Sequence, residues 1–428
     1  MVGAKQASCR SKCSLAAAVL GLAGVLSMAA LALAAAVDLD PSFSGNGKVL
    51  TKFHGGSRAY GLAIDPDRRL VTAGTNVDAF ALARYRPNGH LDRSFSSNGK
   101  LRTRFRQGGH FWSFCVARSV ATDSKGRVVV AGYVTDVSKT RFALARYTRR
   151  GRLDRSFSRN GRVTTGFGGE HALANAIAID HEGRIVAAGF DDDGVALARY
   201  RASGRLDRSF GVRGKVTMGF DQAYGEFSSV VIDLDDRIVA AGDVRRKLFA
   251  VARYKRNGDL DPSFGEGGTV TTNIGFDDVA QSAAIDHKNR IVVAGESDRP
   301  RRSHRFALVR YRPDGTLDGS FGTGGIVTTD FVPGHSIASS VAIDSRGRIV
   351  AAGHTGGKGE SRFAIARYQR DGILDPSFSG DGKLTTSFRS QRQQRAESVA
   401  IDARNRIAAA GFAAGKFALA RYIGYPRR

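Results

Sequence analysis

Residues 341–388 read VAIDSRGRIVAAGHTGGKGESRFAIARYQRDGILDPSFSGDGKLTTSF. Four short runs stand in this stretch. Val341 to Asp344 is the first, and Ser345-Arg346-Gly347 turns the chain. Arg348 to Gly353 follows, apolar on both faces. Phe363 to Tyr368 alternates large and small residues. A turn at Asp371-Gly372 leads through Leu374-Asp375-Pro376-Ser377-Phe378 into the fourth run, Leu384 to Phe388. Runs of this length between glycine turns are strands. A strand apolar on both faces needs a sheet covered on both sides. Small residues on one face and large on the other let neighbouring sheets stack closely.

The pattern recurs seven times. Leu-Asp-x-Ser-Phe begins at Leu39, Leu91, Leu153, Leu206, Leu260, Leu317 and Leu374, at spacings of 52 to 62 residues. An Arg-Tyr pair recurs at Tyr85, Tyr147, Tyr200, Tyr254, Tyr311, Tyr368 and Tyr422. Ala-Gly recurs at Gly74, Gly132, Gly189, Gly242, Gly295, Gly353 and Gly411. Repetition at this period means a solenoid, a propeller or an array. Radial stacking of four-stranded sheets accounts for both strand faces; a β-helix has shorter repeats without hairpin turns. The expected fold is all-β, a seven-bladed β-propeller of four-stranded antiparallel blades. The region after residue 36 opens on a Leu-Asp-x-Ser-Phe step and ends after an Arg-Tyr strand. Residues 39–53 should therefore supply the outer strand of a blade whose other three strands lie in residues 397–422, closing the ring and removing two exposed edges.

Leu-Asp-x-Ser-Phe-Gly, Gly-Lys-Val-Thr-Thr-x-Phe, Ile-Asp-x-x-Gly-Arg-Ile-Val-x-Ala-Gly and Phe-Ala-Leu-Ala-Arg-Tyr resemble the delta-60 repeat of propellers in bacterial exported and surface proteins. The resemblance covers essentially everything after residue 36. It is similar to the NHL propeller repeat in strand order, more loosely. The family brings no established catalytic residues.

The composition, 25% charged and 42% hydrophobic, is globular. Lys5, Arg10 and Lys12 precede an uncharged Ala/Leu-rich run that ends at Asp38, with Ala34, Ala35 and Ala36 as a small-residue exit. This is a signal-peptide pattern, so residues 1–36 are expected to be cleaved and residues 37–428 to form one propeller domain. An uncleaved anchor is the alternative, since the run is long enough to span a bilayer. Cys9 and Cys13 leave with that segment and Cys115 stays without a partner. A mature chain without disulfides is held by its core and its ring closure. The net charge of +25 attracts polyanions. Export makes an envelope polymer or acidic polysaccharide a better fit than nucleic acid.

Asp and Arg stand four apart in every unit, at Asp65/Arg69, Asp123/Arg127, Asp180/Arg184, Asp233/Arg237, Asp286/Arg290, Asp344/Arg348 and Asp402/Arg406. Sevenfold repetition assigns these pairs to structure, because a functional centre in a ring is asymmetric. The aspartate ends the first strand and accepts turn amides. The arginine is expected to open the second strand and to pair with that aspartate or with a neighbouring blade. The candidates for ligand binding are residues that do not repeat. His54, His110, His171 and His335 fall between a fourth strand and the next first strand, and Trp112 lies in the longest such insertion, Gln107 to Ser119, with Cys115. Asp191, Asp192 and Asp193 join these candidates, although Asp191-Asp192-Asp193-Gly194 is too short for a calcium loop, with no later glutamate in register, and a solvated turn is the better reading. No local spacing supports a metal site, and no cofactor is implied. Gly-x-Ser-x-Gly, a nucleotide-binding glycine loop and Cys-x-x-Cys are absent from the sequence.

The function expected is an exported, non-catalytic binding scaffold, a monomer, secreted or at the cell surface, with a protein, glycan or anionic envelope polymer as partner. The alternative is a metal-assisted lyase or lactonase-like hydrolase with its site at the mouth of the central channel. First-to-second-strand turns have three residues in every unit. Second-to-third loops vary from Asp243–Lys247 to Glu296–Arg305, and interblade loops vary with them. Recognition resides on varied loops of a rigid scaffold, so specific binding is expected on that face. The third-to-fourth turns, with Arg149, Arg150, Arg152, Arg201, Arg205, Lys255 and Arg256, make the opposite face basic.

Overall fold

The computed structural model describes residues 39–424, apart from 108–109, 112–113, 137, 221–223, 299–302, 332–333, 358 and 389–392. The expected signal segment and Trp112 lie outside the described residues. Seven four-stranded antiparallel sheets form the chain, each ordered from an inner strand outward. In blade 1 these are Ser57–Ile64, Leu70–Asn76, Ala79–Tyr85 and Lys100–Thr103. Blades 2 to 6 repeat the plan behind inner strands Phe114–Thr122, Ala172–Ile179, Gly225–Ile232, Asp278–Ile285 and His335–Ile343. Blade 7 joins the two ends. Gln394–Ile401, Ile407–Ala413 and Lys416–Tyr422 take Lys48–Thr51 as their outer strand, with Lys48 opposite Ala420 and Thr51 opposite Phe417.

The inner strands are longer than the sequence pattern gives. Val341–Asp344 overlaps only the last part of His335–Ile343. Likewise Cys115 does not sit in an insertion: it is buried in Phe114–Thr122, where burial pushes its thiol up to about 11. A small hairpin, Arg106–Gln107 with His110–Phe111, precedes it. The first half of each inner strand alternates buried and less buried positions, but its buried residues include small and polar ones such as Ser57, Ala59, Asp278 and Ala280, so no apolar run marks it in the sequence.

Seven apolar cores hold the ring, each between two neighbouring blades. Val71, Phe80 and Leu82 of blade 1, for example, pack on Val128, Val130 and Ala143 of blade 2. Burying one such large side chain contributes roughly 1.5–3 kcal/mol.

Two of the repeated columns hold the frame. In the first, Arg84 Nε donates to Asp92 Oδ2 at 2.9 Å and Nη2 to Ser94 at 3.2 Å, while its guanidinium lies 4.5 Å over the Phe95 ring. Its Nη1 reaches out of the blade to the Arg149 carbonyl, 2.7 Å away in the next one. This clasp between blades recurs around the ring. Arg146, Arg199, Arg253, Arg310, Arg367 and Arg421 reach in the same way to the carbonyls of Ala202, Arg256, Pro313, Arg370, Gly424 and Pro87. Arg421 also binds Asp40 at 2.8 Å, so one clasp spans the two ends of the chain.

The second column is the Asp/Arg pair of the first turn, and the expectation for its arginines needs one correction. Arg69 Nε donates to Asp65 Oδ2 at 2.6 Å, and Asp65 Oδ1 accepts the Arg69 and Asp67 amides. Arg127 and Asp123, Arg184 and Asp180, and Arg237 and Asp233 repeat the contact at 2.6 Å. Arg290 and Asp286, Arg348 and Asp344, and Arg406 and Asp402 repeat it at 2.7 Å. The correction concerns the strand. None of the seven arginines opens its second strand, which begins one residue later, at Leu70, Val128, Ile185, Ile238, Ile291, Ile349 and Ile407. Each arginine is still part of the turn, because its amide goes to the aspartate side chain. The pairing with the turn aspartate is as expected, and the far arm of the guanidinium adds a contact with the clasp aspartate of its own blade: Arg127 to Asp154 and Arg237 to Asp261 at 3.8 Å, Arg290 to Asp318 at 3.2 Å, Arg406 to Asp40 at 3.7 Å. The clasp aspartate carries the nearest buried negative charge, so it draws the second cation. Arg348 reaches both its own blade and the next, meeting Asp375 at 3.5 Å and the Gly424 carbonyl of blade 7 at 3.2 Å.

Candidate functional site: the central channel

The Ala-Gly column positions the site. Each of these glycines faces a residue just before a break in the inner-strand register. A Cβ on Gly74 would fall on the Arg58 carbonyl oxygen, and one on Gly411 on that of Arg395. Only glycine lets the strands approach this closely. The approach is followed by a β-bulge between Ala59 and Gly61, and the equivalent bulge occurs in every inner strand. A bulge leaves one residue without a ladder partner and re-aims its side chain. The seven residues so placed are Tyr60, Arg118, Asn175, Ser228, Gln281, Ser339 and Glu397. They line a central cavity of about 320 Å³ bounded by all seven inner strands. The backbone repeats seven times, but neighbouring bulge side chains all differ.

The residue after the bulge is structural in four blades. Ser229, Ser282, Ser340 and Ser398 accept the amides of Ala283, Val341, Val399 and Leu62 from the next inner strand, at 3.0 to 3.2 Å. These bonds tie the channel wall together.

The channel is electrically lopsided. Arg395, Arg58 and Arg118 project from the consecutive blades 7, 1 and 2. Arg58 lies 4.9 Å over Phe412, and Arg118 lies 4.9 Å over Tyr60. Glu397 stands among them. Burial in the channel wall pushes its carboxyl up to about 7, against the downward pull of Arg395, Arg118 and Arg58. Blades 4 and 5, across the ring, carry acids. Burial and then the neighbouring Glu226 push Asp243 up to about 7. Burial and then Asp298 do the same to Glu296. His304 Nδ1 lies 3.0 Å from Glu296 Oε2 and also against Asp298. His354 is held neutral, its imidazole pushed down to about 3 by burial, then by Arg395 and His304.

The residues singled out in the sequence are scattered rather than convergent. His54 and His171 are exposed in separate interblade loops. His335 stacks on His304 at 5.0 Å and accepts its amide at 3.3 Å. The His110 side chain lies outside the described residues. Asp191 is buried and accepts the Asp193 amide, with burial raising its carboxyl. Asp192 accepts the amides of Glu170 and His171 and so fastens the neighbouring interblade loop; Asp193 is exposed. The turn arginines Arg127, Arg237, Arg290 and Arg406 take no part in the channel wall, since their guanidiniums are engaged by aspartates in the blades. Among the described residues, no group of three or more His, Cys, Asp or Glu side chains is placed to hold a metal ion. On the varied-loop face Val77, Phe114, Tyr224 and Phe276 are exposed. On the other face part of the positive charge is paired, Arg149 with Asp67 at 2.5 Å and Arg256 with Asp236 at 2.8 Å. The channel residues Tyr60, Arg118 and Glu397 carry a readable signal that the column patterns conceal. They occupy the position five before the repeated aspartate, where the seven units read Tyr, Arg, Asn, Ser, Gln, Ser and Glu.

Fold and channel together define a seven-bladed β-propeller with an asymmetric polar channel. The profile of the family described as a β-propeller domain of unknown function (DUF5122) matches residues 66–95, 126–157, 234–264, 289–321 and 347–378. Five of the seven units thus match the repeat of this β-propeller family, which is of the delta-60 type. No curated protein matches it in sequence. Among solved structures it is similar to a catalytically inactive virginiamycin B lyase from Staphylococcus aureus, at 10% identity and a TM-score of 0.51 over 87% of this chain and 98% of that one. It is also similar to Sqt1 from Chaetomium thermophilum, at 13% identity and a TM-score of 0.48 over 85% and 82%. A third is a gluconolactonase from Xanthomonas campestris, at 12% identity and a TM-score of 0.39 over 90% and 97%. At these identities the likeness is one of fold, and propellers host unrelated functions.

Proposed function

We propose that the protein is a binding propeller whose ligand enters the central channel from the varied-loop face. One observation carries this reading. The frame repeats sevenfold, yet the bulge positions present Tyr60, Arg118, Asn175, Ser228, Gln281, Ser339 and Glu397 to one cavity. Structure alone demands a uniform ring; a particular ligand demands a particular one. The exposed aromatics Phe114, Tyr224 and Phe276 give the same face apolar surface for a ligand or partner to rest on. The basic, then apolar, N-terminal stretch supports work outside the cytoplasm, and the excess positive charge supports attraction to anionic envelope polymers.

The test is a plugged channel. Ser228→Trp puts an indole into the cavity from a position without a ladder partner. A ligand found by screening the parent should bind the variant at least about tenfold more weakly while the melting temperature holds. Equal affinity in a folded variant would move the site out of the channel.

A further inference from the structure

Resting on that reading, we propose that the channel ligand is a small polyhydroxylated organic acid. Its carboxylate is taken by the guanidiniums of Arg58, Arg118 and Arg395, and Glu397 takes up one proton from solvent as it binds. Three cations from three consecutive blades act on a single acid; Arg118 and Glu397 line the cavity, and Arg58 and Arg395 stand two residues before the bulge residues Tyr60 and Glu397 on their strands. Arg118 and Arg395 each keep a buried Nε without a hydrogen-bond partner. Glu397 itself has no direct hydrogen-bond or ion-pair partner among the described residues. Buried polar groups left unmade are costly, and a planar carboxylate is what a guanidinium fork fits. The remaining arc, with Asn175, Gln281, Ser228 and Ser339, offers amides and hydroxyls around the wall and suits a ligand rich in hydroxyls.

The proton follows from charge. The groups facing Glu397 are Arg395 on its own strand, Arg58 and Tyr60 on the blade 1 inner strand and Arg118 on that of blade 2, with Glu226 on the opposite wall. A second carboxylate brought to the same arginines repels the first, and like charges at close quarters cannot both stay ionised. The half-buried Glu397, already close to neutral-pH titration, is the one that protonates.

The test is titration calorimetry on the folded protein with sodium glucuronate, a glucose phosphate and glucose, in two buffers of different ionisation heat. Glucuronate should bind with uptake of up to about one proton, while glucose does not bind. Its affinity should be flat below about pH 7 and fall about tenfold per pH unit above it. Glu397→Gln should remove that pH dependence. Arg118→Gln and Arg395→Gln, each checked for an unchanged melt, should weaken binding roughly tenfold or more. Glucose binding as well as glucuronate, the phosphate binding in its place, no binding of glucuronate at all, or affinity independent of pH in the parent would each overturn the proposal. Ser228→Trp separates the two readings. Glucuronate binding lost in Ser228→Trp but kept in both arginine variants sinks only the carboxylate assignment. Binding kept in Ser228→Trp sinks the channel as well.

Discussion

Tyr254 packs in the same interblade core as Met218, where its six counterparts face a threonine. Tyr85 bonds Thr51 at 2.7 Å, Tyr147 bonds Thr103 at 2.8 Å and Tyr311 bonds Thr272 at 2.7 Å, and Tyr200, Tyr368 and Tyr422 follow suit. The Tyr254 hydroxyl is buried and has no partner. An unmade buried hydrogen bond costs about 1–3 kcal/mol, and a made one contributes about 1. Tyr254→Phe should therefore leave stability unchanged or raise it, whereas Tyr311→Phe should lower it by about 1 kcal/mol or more. Denaturant unfolding of the two variants decides, and equal losses would refute the distinction.

Ring closure rests on Arg421. It bonds Asp40 at 2.8 Å and Ser42 at 3.0 Å, 381 and 379 residues away in sequence. Arg421→Ala leaves the buried Asp40 carboxylate only Ser42 and the more distant Arg406, at 3.7 Å, and should cost about 3 kcal/mol. Arg102→Ala, at an exposed pair with Asp78, should cost no more than about 1 kcal/mol. Removal of residues 37–55 should broaden the melt and promote association through the freed edges. A sharp, late melt after that deletion would mean that the ends do not close the ring.

Gly411 connects frame and site. Gly411→Ala drives a methyl onto the Arg395 carbonyl oxygen and presses out the bulge that carries Glu397. The expected cost is about 1–3 kcal/mol or more. Affinity for a channel ligand should fall further than in Gly74→Ala, whose bulge carries Tyr60. Calorimetry beside thermal melts would show the two effects separately.

The carboxyls predict an unusual pH profile. Asp243, Glu296 and Glu397 are raised to about 7 in the fold. The folded chain thus holds protons that the unfolded chain has lost, and stability falls as pH rises from their ordinary values toward 7. His354, lowered to about 3, works in the opposite sense, favouring the fold as pH rises through the ordinary histidine range. Three carboxyls outweigh one imidazole. At the acid end, burial would raise Asp318, but the Ser320 hydroxyl and amide and then Arg310 outweigh it and hold it at about 2. Its contribution is complete above the ordinary carboxyl value and is lost as pH falls through about 2. Melting temperature should peak at about pH 4–5, and the triple variant Asp243→Asn, Glu296→Gln, Glu397→Gln should flatten the neutral side. A parent profile that peaks at neutral pH would contradict this.

The frame was legible because its residues repeat. Asp65/Arg69 and Arg84-Tyr85 announce themselves through six further copies, and the strands between them have apolar periodicity. What the repetition did not show was direction. Spacing alone cannot tell the last turn residue, which each of the seven arginines from Arg69 to Arg406 is, from the first strand residue, nor which aspartate the far arm of Arg127, Arg237, Arg290 or Arg406 meets. The channel was hidden by the same logic. Arg118 and Glu397 sit where the units agree least, and the register break that aims them inward leaves no period in the sequence. Gly411 was visible as a column, but its meaning needed the Arg395 carbonyl opposite. Loop histidines drew attention because they are rare. His304, which meets Glu296, lies at the start of a third strand and had no spacing to mark it.

The bulge that separates Tyr60 or Glu397 from its strand ladder also separates two kinds of selection. Apart from Asn175, whose Nδ2 donates to the Phe227 carbonyl of the next blade at 3.1 Å, a replacement at one of these positions touches neither the arginine clasps nor the glycine contact that supports it. Neighbours one step away, such as Ala59 and Ala396, are buried and closely packed. The ring is therefore a holder with interchangeable inserts: if the channel binds as proposed, substitutions at these positions would retune it while the arginine clasps and the interblade cores stay as they are.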